Sequence, residues 1–289
     1  MSTPAAMCLA VRRMAMDWGI GTMQLSASMN STATTMTVVD YPDTLGIGHH
    51  LHYGTEIMEL TGDPGPSMTV RRGQLGTTAA AIVNSSVIIV QPRFTNIAII
   101  AALNEALHIL SGLEPREVFV TDSTLLTAAD TESFAMPAET VGEGEYIDIL
   151  SVELETATAG LYRPIYTWFQ EGRWPPTLRL KGNEQTGRDL RLRCTQAYYP
   201  MAYTDVSRPT GLIDAYEVFL TKYAAGLLLE QQELYAADWV KQDVQVASDF
   251  RGRMQVIGRN MQVAAETFLQ KVTPGTRNFE IGDSRNYRR

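Results

Sequence analysis

Cysteine is nearly absent from this chain: Cys8 and Cys194 are the only two in 289 residues. Two thiols so far apart make no disulfide framework, so the expected setting is a reducing cytoplasm, with both packing as small hydrophobes. Basic charge is also in deficit. The 24 Lys and Arg against 32 Asp and Glu leave a net charge of −8, which argues against capture of nucleic acid by bulk attraction. Weak repulsion of that kind still suits a surface that DNA slides past. Long apolar runs are missing too. The longest, residues 97–103, is too short to cross a bilayer. At the N-terminus Arg12 and Arg13 interrupt the apolar stretch, whereas a signal peptide carries its charge ahead of it. A soluble protein without membrane contact is expected.

Catalytic and ligand-holding constellations are equally scarce. His49, His50 and His52 have no acidic or Cys partner at ligand spacing, and zinc requires three or four convergent ligands. They are expected in a solvated loop ahead of a strand; if extended, His50 and His52 share a face and His49 points away. The run RRGQLGTTAAAIV (71–83) lacks the Lys-Ser/Thr pair of a phosphate-binding loop. Asn104, Glu105 and His108 lie in an apolar helix with no nucleophile beside them, which suits hydrogen bonding or exposure better than catalysis. Glu153 and Glu155 share a strand face, but their alternating run reads as a solvated surface and not as a glycosidase pair. No catalytic, cofactor-binding or metal-binding residue is therefore assigned, and the chain is not expected to be an enzyme.

A hydrophobic content of 45% with 19% charged residues describes a folded chain. Residues 4–18 suggest a short helix with Pro4 in its first turn, Met7, Val11 and Met14 on its apolar face, and Gly19 and Gly21 after it. Between 22 and 93 short β-branched stretches at 35–39, 52–60, 67–71 and 86–91 alternate with turn clusters. They predict a small barrel or sandwich. Residues 94–112 read as a helix apolar nearly all round, capped by Thr95 and Gly112. From 113 to 208 roughly eight alternating stretches, punctuated by glycine and proline, predict an inserted antiparallel sheet or sandwich with one wet face. Its aromatics, Tyr162, Tyr166, Trp168, Phe169, Trp174, Tyr198 and Tyr199, could stack on sugars but more often serve core or interface.

Apolar residues recur at helical spacing over 212–236 and again over 244–272, which predicts an antiparallel helical pair completing a bundle with the 94–112 helix. Gly226 sits inside the first apolar face; with no side chain there, another helix can come close. Residues 273–289 carry scattered anchors, and four arginines against Glu280 and Asp283 leave +2, opposite in sign to the whole chain. That segment reads as a docking arm, with Phe279, Ile281, Arg285, Tyr287, Arg288 and Arg289 as its partner-binding residues.

The runs GTEIMELTG (54–62), MTVRRGQLGTTAAA (68–81) and VIIVQPRF (87–94) resemble a module recurrent in structural proteins of tailed bacteriophages. In it a strand carrying a glutamate precedes a strand running into an Arg-Gly pair, followed by a Gly-Thr-Thr-Ala-Ala turn. Glu59, Arg72, Gly73 and residues 76–80 match, while Ile82 and Val83 stand where a His is usual. Followed by RPTGLIDAYEVFLTKYAAGLLLEQQE (208–233), the order of parts is similar to the head–tail adaptor (connector, or neck) proteins of those phages.

The resemblance implies an α+β fold. Its helical bundle core is one central helix plus a C-terminal helical pair, with an N-terminal small β-barrel module and an inserted antiparallel β-sandwich. It implies a virion protein of the head–tail junction, assembled in the host cytoplasm. Such a protein closes into a homo-oligomeric ring, commonly a dodecamer. Its partners would be the phage portal protein and the tail, nozzle or tail-terminator proteins, with genome DNA passing through the channel unread. Another tail or baseplate structural role, or a glycan-binding role, is the alternative.

Overall fold

The computed structural model describes residues 3–15, 17, 19, 21–126, 133–135, 146–156, 158, 160–166, 168–171, 177–180, 189–205, 207, 209, 212–231 and 244–272. The chain is α+β and divides into two units. The first comprises Met1–Ala106, Met201–Arg208 and Leu212–Arg289; the second comprises Leu107–Pro200 and Pro209–Gly211.

The first unit opens with helix α1 (Pro4–Met14), whose N-terminus is capped by Thr3 Oγ1 accepting from Ala6 N at 3.2 Å. It ends at Met14, four residues short of the sequence expectation, and it buries Met7, Cys8 and Val11 together with Arg12. Six strands follow: β1 (Gly21–Leu25), β2 (Thr35–Asp40), β3 (His50–Tyr53), β4 (Glu56–Leu60), β5 (Ser67–Arg71) and β6 (Val87–Val90). They close into a barrel in the order β1-β2-β5-β4-β3-β6, with every pair antiparallel. Closure leaves no unpaired sheet edge. The interior is filled by alternate residues such as Leu25, Met36, Leu51, Met58, Met68 and Ile88, and the methionines suit it because thioethers adapt to irregular gaps. The stretch 52–60, expected as one strand, is two: the chain reverses at Gly54, which takes φ +55, and β3 then pairs with β4.

Helix α2 (Asn96–Leu113) starts where Thr95 Oγ1 accepts from Ala98 N at 3.0 Å. It continues past Gly112, which lies inside the helix rather than capping it. Its buried residues recur at helical spacing: Ile99, Ala102, Leu103, Ala106 and, in the second unit, Leu107 and Leu110. Among the described residues it is the one helix long and apolar enough to cross a membrane, and 44% of it is buried within the protein. Helices α3 (Asp214–Gln231) and α4 (Val244–Val272) complete the unit. They pack along each other, and α1 packs on α3. Lys222 meets Phe268 near one end of the crossing and Glu230 meets Gln262 and Arg259 near the other, so the pair is antiparallel. The linker expected between them, 232–243, lies outside the described residues.

The second unit is built on two antiparallel sheets. Strands β7 (Arg116–Leu126), β9 (Tyr146–Glu155), β10 (Tyr162–Ile165) and β13 (Asp189–Gln196) form one in the order β10-β9-β13-β7. Strands β8 (Ser133–Ala135), β11 (Trp168–Glu171) and β12 (Thr177–Leu180) form the other in the order β11-β12-β8. The short stretch 162–171 therefore supplies a strand to each sheet, β10 to the larger and β11 to the smaller. A single apolar cluster draws Val152, Leu154, Leu190 and Leu192 from the larger sheet and Leu178 from the smaller, with Trp168 packed against it.

Candidate interaction surfaces

The glutamate that meets the Arg-Gly pair is Glu56, not Glu59. Arg72 Nε and Nη2 reach the two Glu56 oxygens at 2.6 and 2.7 Å, a bidentate fork with the carboxylate fully buried. The same carboxylate accepts from Gly73 N at 3.3 Å and Ala80 N at 2.9 Å. Arg72 spends its remaining donors on the carbonyls of Asn30, Ala33 and Ala80. Every partner of this buried charge pair is thus supplied, which is what its desolvation requires. Glu59 instead pairs with Arg71 at 3.2 Å on the surface.

That network fixes the loop between Gly73 and Ala80. Thr77 Oγ1 accepts from Ile57 N at 3.0 Å and donates to Gln74 O at 2.8 Å. Three of its four leading residues are left-handed: Gly73 at φ +60, Leu75 at +53 and Gly76 at +78. For the two glycines this is free of strain; for leucine it costs about 1–2 kcal/mol. Leu75 is nevertheless 73% exposed, so no burial of its own side chain offsets the strain. Sequence reading passed over Leu75, although its place between two turn glycines was the available signal.

A second buried network docks α1. Arg12 and Asp17 are each 2% exposed, and Arg12 Nη1 donates to Asp17 Oδ2 at 2.5 Å. Arg12 Nη2 donates to Asn96 Oδ1 at 2.6 Å, and Asn96 Nδ2 donates in turn to Gly54 O at 2.5 Å. The Asp17 carboxylate accepts from Arg93 N and Phe94 N. One guanidinium therefore joins α1, the β3–β4 turn and the first turn of α2. Burial pushes the Arg12 pKa down, and the charge of Asp17 opposes that. His52 lies beside this network in β3, within the stretch 52–60 expected as strand, but it is buried and not solvated. Burial, and then the charges of Arg12 and His50, push its pKa down to about 4. His49 accepts from Gly46 N at 3.2 Å in the preceding loop. Among the described residues no group of three His, Cys, Asp or Glu could hold a metal ion.

The remaining sequence-nominated groups are engaged locally. Asn104 brackets Met201, donating to its carbonyl at 3.0 Å and accepting from its amide at 2.8 Å. Glu153 accepts from Arg191, whose guanidinium stacks over Tyr162 at 4.1 Å and Phe119 at 4.8 Å. Glu155 accepts from Gly160 N at 2.7 Å. Tyr198 is buried, while Tyr166 is 86% exposed. Trp174, the side chain of Phe169 and the arm residues Phe279, Ile281, Arg285, Tyr287, Arg288 and Arg289 lie outside the described residues. Both thiols are buried, and burial is the main force pushing Cys8 and Cys194 up to about 12.

The outward side of α4 is the other exposed feature of note. At helical spacing it presents Val256, Asn260, Val263 and Thr267, flanked by Ile257 and Ala264, all exposed. Arg259 and Glu266, both exposed, border that stripe at i+3 from Val256 and Val263, as on an ordinary solvated helix face. No protein-family model matches the chain, and no curated protein matches it in sequence.

Proposed function

We propose that the chain is a structural head-to-tail adaptor of a tailed phage, closing into a ring between portal and tail that continues the DNA channel. The observation that carries the reading is the barrel with its Arg72–Gly73 loop locked by a buried glutamate. It occupies the place of the resembled module and is followed in order by α2, a β unit and an antiparallel helical pair. Within this reading α2 joins α3 and α4 as a bundle core; in support, the charges of Glu105 on α2 and Glu266 on α4 both act on Tyr223 of α3. The sheets of the second unit face each other as a sandwich, supported by the apolar cluster they share. The acidic balance of −8 favours passage of DNA over its capture.

In this role the protein does no chemistry. Residues 273–289 are the docking arm that engages the portal or the nozzle, and tethering multiplies each arm's contribution around the ring. The test is deletion of 273–289. The truncated chain should keep its fold and thermal transition while virions fail to join heads to tails; normal assembly would count against the reading. A tail or baseplate role is the second reading, favoured by a barrel module common to tail, neck and adaptor proteins alike. Symmetry separates the two, because a tail part follows three- or six-fold order and an adaptor follows the portal.

A further inference from the structure

We propose, independently of any ring, that α1 is a strap released by acid: a proton taken up by His52 sets a second cation against the buried Arg12, and the helix leaves a barrel that stays folded. The geometry is specific to this histidine. Side chains alternate along β3, so Leu51 fills the barrel interior while His52 stands on the outer wall. His52 is nevertheless only 6% exposed. Its cross-strand neighbours are Ile57 and Ile89, so neither adjoining strand offers it a counter-ion at that level. The charges that bear on it are those of Arg12 from α1 and His50 from its own strand, and both oppose its protonation. Around Arg12 the other ionisable groups are Asp17, Cys8 and Tyr203, with Tyr53 near Tyr203. Asp17 is committed, since it pairs with Arg12 and accepts from Arg93 N and Phe94 N. Burial raises the pKa of Cys8 and of Tyr203, so both are neutral in acid and balance no added charge.

The barrel can outlast the strap because its core is complete without it. The interior cluster runs from Met23 to Val90 and contains no residue of α1. The helix buries Met7, Cys8 and Val11 outside that cluster and packs on α3. Its polar tie runs from Arg12 through Asn96 to Gly54 O, two residues along the chain from His52. Two like charges held together out of water are strongly unfavourable, and undocking lets water reach both. Docked, His52 titrates at about 4, against an ordinary 6.5. Docking is therefore at full strength above the ordinary value. Between the two values it weakens by up to about tenfold per pH unit as pH falls. Opening of one peripheral helix lies below global unfolding in free energy.

The two buried thiols are built-in reporters, Cys8 for the helix and Cys194 for the second unit. The full chain is labelled with a pyridyl disulfide, which reacts with thiols in acid, and each rate is divided by that of the unfolded chain at the same pH. Relative labelling of Cys8 should rise about twentyfold between about pH 7 and about pH 5, while Cys194 stays unchanged. The amides of Leu60 and Val70, both hydrogen-bonded within the first unit, should remain protected from hydrogen exchange. In His52→Gln, neutral at both pH values, Cys8 should be protected at neutral pH and its rise should shrink to within about twofold. A flat Cys8 rate in the wild type would overturn the proposal. So would a rise shared with Cys194, or with exchange at Leu60 and Val70, because the helix would then not leave alone. An undiminished rise in His52→Gln would overturn it by assigning the release to Asp17. Loss of Cys8 protection at neutral pH in that variant would do so too, since a neutral side chain at position 52 should leave α1 docked.

Discussion

Gly226 on α3 and Gly258 on α4 face each other so closely that a Cβ built on either would stand 2.6 Å from the carbonyl oxygen of the other. The backbones, not the side chains, are in contact at this crossing, and that sets the spacing of the helical pair.

Replacing Gly226 with alanine should therefore destabilise the protein. Helix propensity gains about 1 kcal/mol, but overpacking against fixed backbone costs about 1–3 kcal/mol. The clash with Gly258 O and Gln262 N places the change toward the upper end. A lower urea midpoint is the expected result, and a raised midpoint would mean that the helices separate at no cost.

Glu56 and Glu59 should behave differently although they share a strand. Glu56→Gln leaves the buried Arg72 charge without its counter-ion, a loss of about 3–5 kcal/mol. Glu59→Gln touches a surface pair in which Arg71 is 65% exposed, and such pairs are worth within about 1 kcal/mol. Equilibrium denaturation of the two variants reads the contrast.

Acid should weaken the fold through His52. Its folded pKa, about 4, lies below the ordinary 6.5, so between those values the unfolded chain binds more protons than the native one. Stability is then full above pH 6.5, declines as pH falls toward 4, and the His52 share of the loss levels off below that. The loss amounts to at most about 3 kcal/mol. In His52→Gln the slope of stability against pH across this window should flatten.

Native thiol titration should be slow. Cys8 and Cys194 are buried with pKa values pushed up to about 12, and the thiolate is the reactive form. An aromatic disulfide reagent should label neither until denaturant is added, and then both.

The helical pair was legible because Phe219, Leu220, Ala224 and Leu228 recur at helical spacing in 212–236 and because Gly226 interrupted an apolar face for a reason. The barrel strands were legible from β-branched alternation, apart from the turn at Gly54, where a single glycine between Tyr53 and Thr55 left no turn cluster to mark it. The buried Arg12 was not legible. Its partners, Asp17 and Asn96, lie on different elements, and an arginine after an apolar helix face reads as its solvent end. Glu56 was missed for Glu59 because both sit on β4; only the fold brings Gly73 N and Ala80 N to the former. Leu75 carries one local signal, its place between the turn residues Gly73 and Gly76, but its left-handed backbone angle is set by the fold around it.

Imaging of purified virions, with symmetry determined at the head–tail junction, decides whether this chain forms the proposed ring at the virus neck. The expected result is a closed ring of this chain beneath the portal, following the portal's own symmetry, with an open central channel. Absence of the chain from the junction, or its placement in a three- or six-fold tail part, would contradict it.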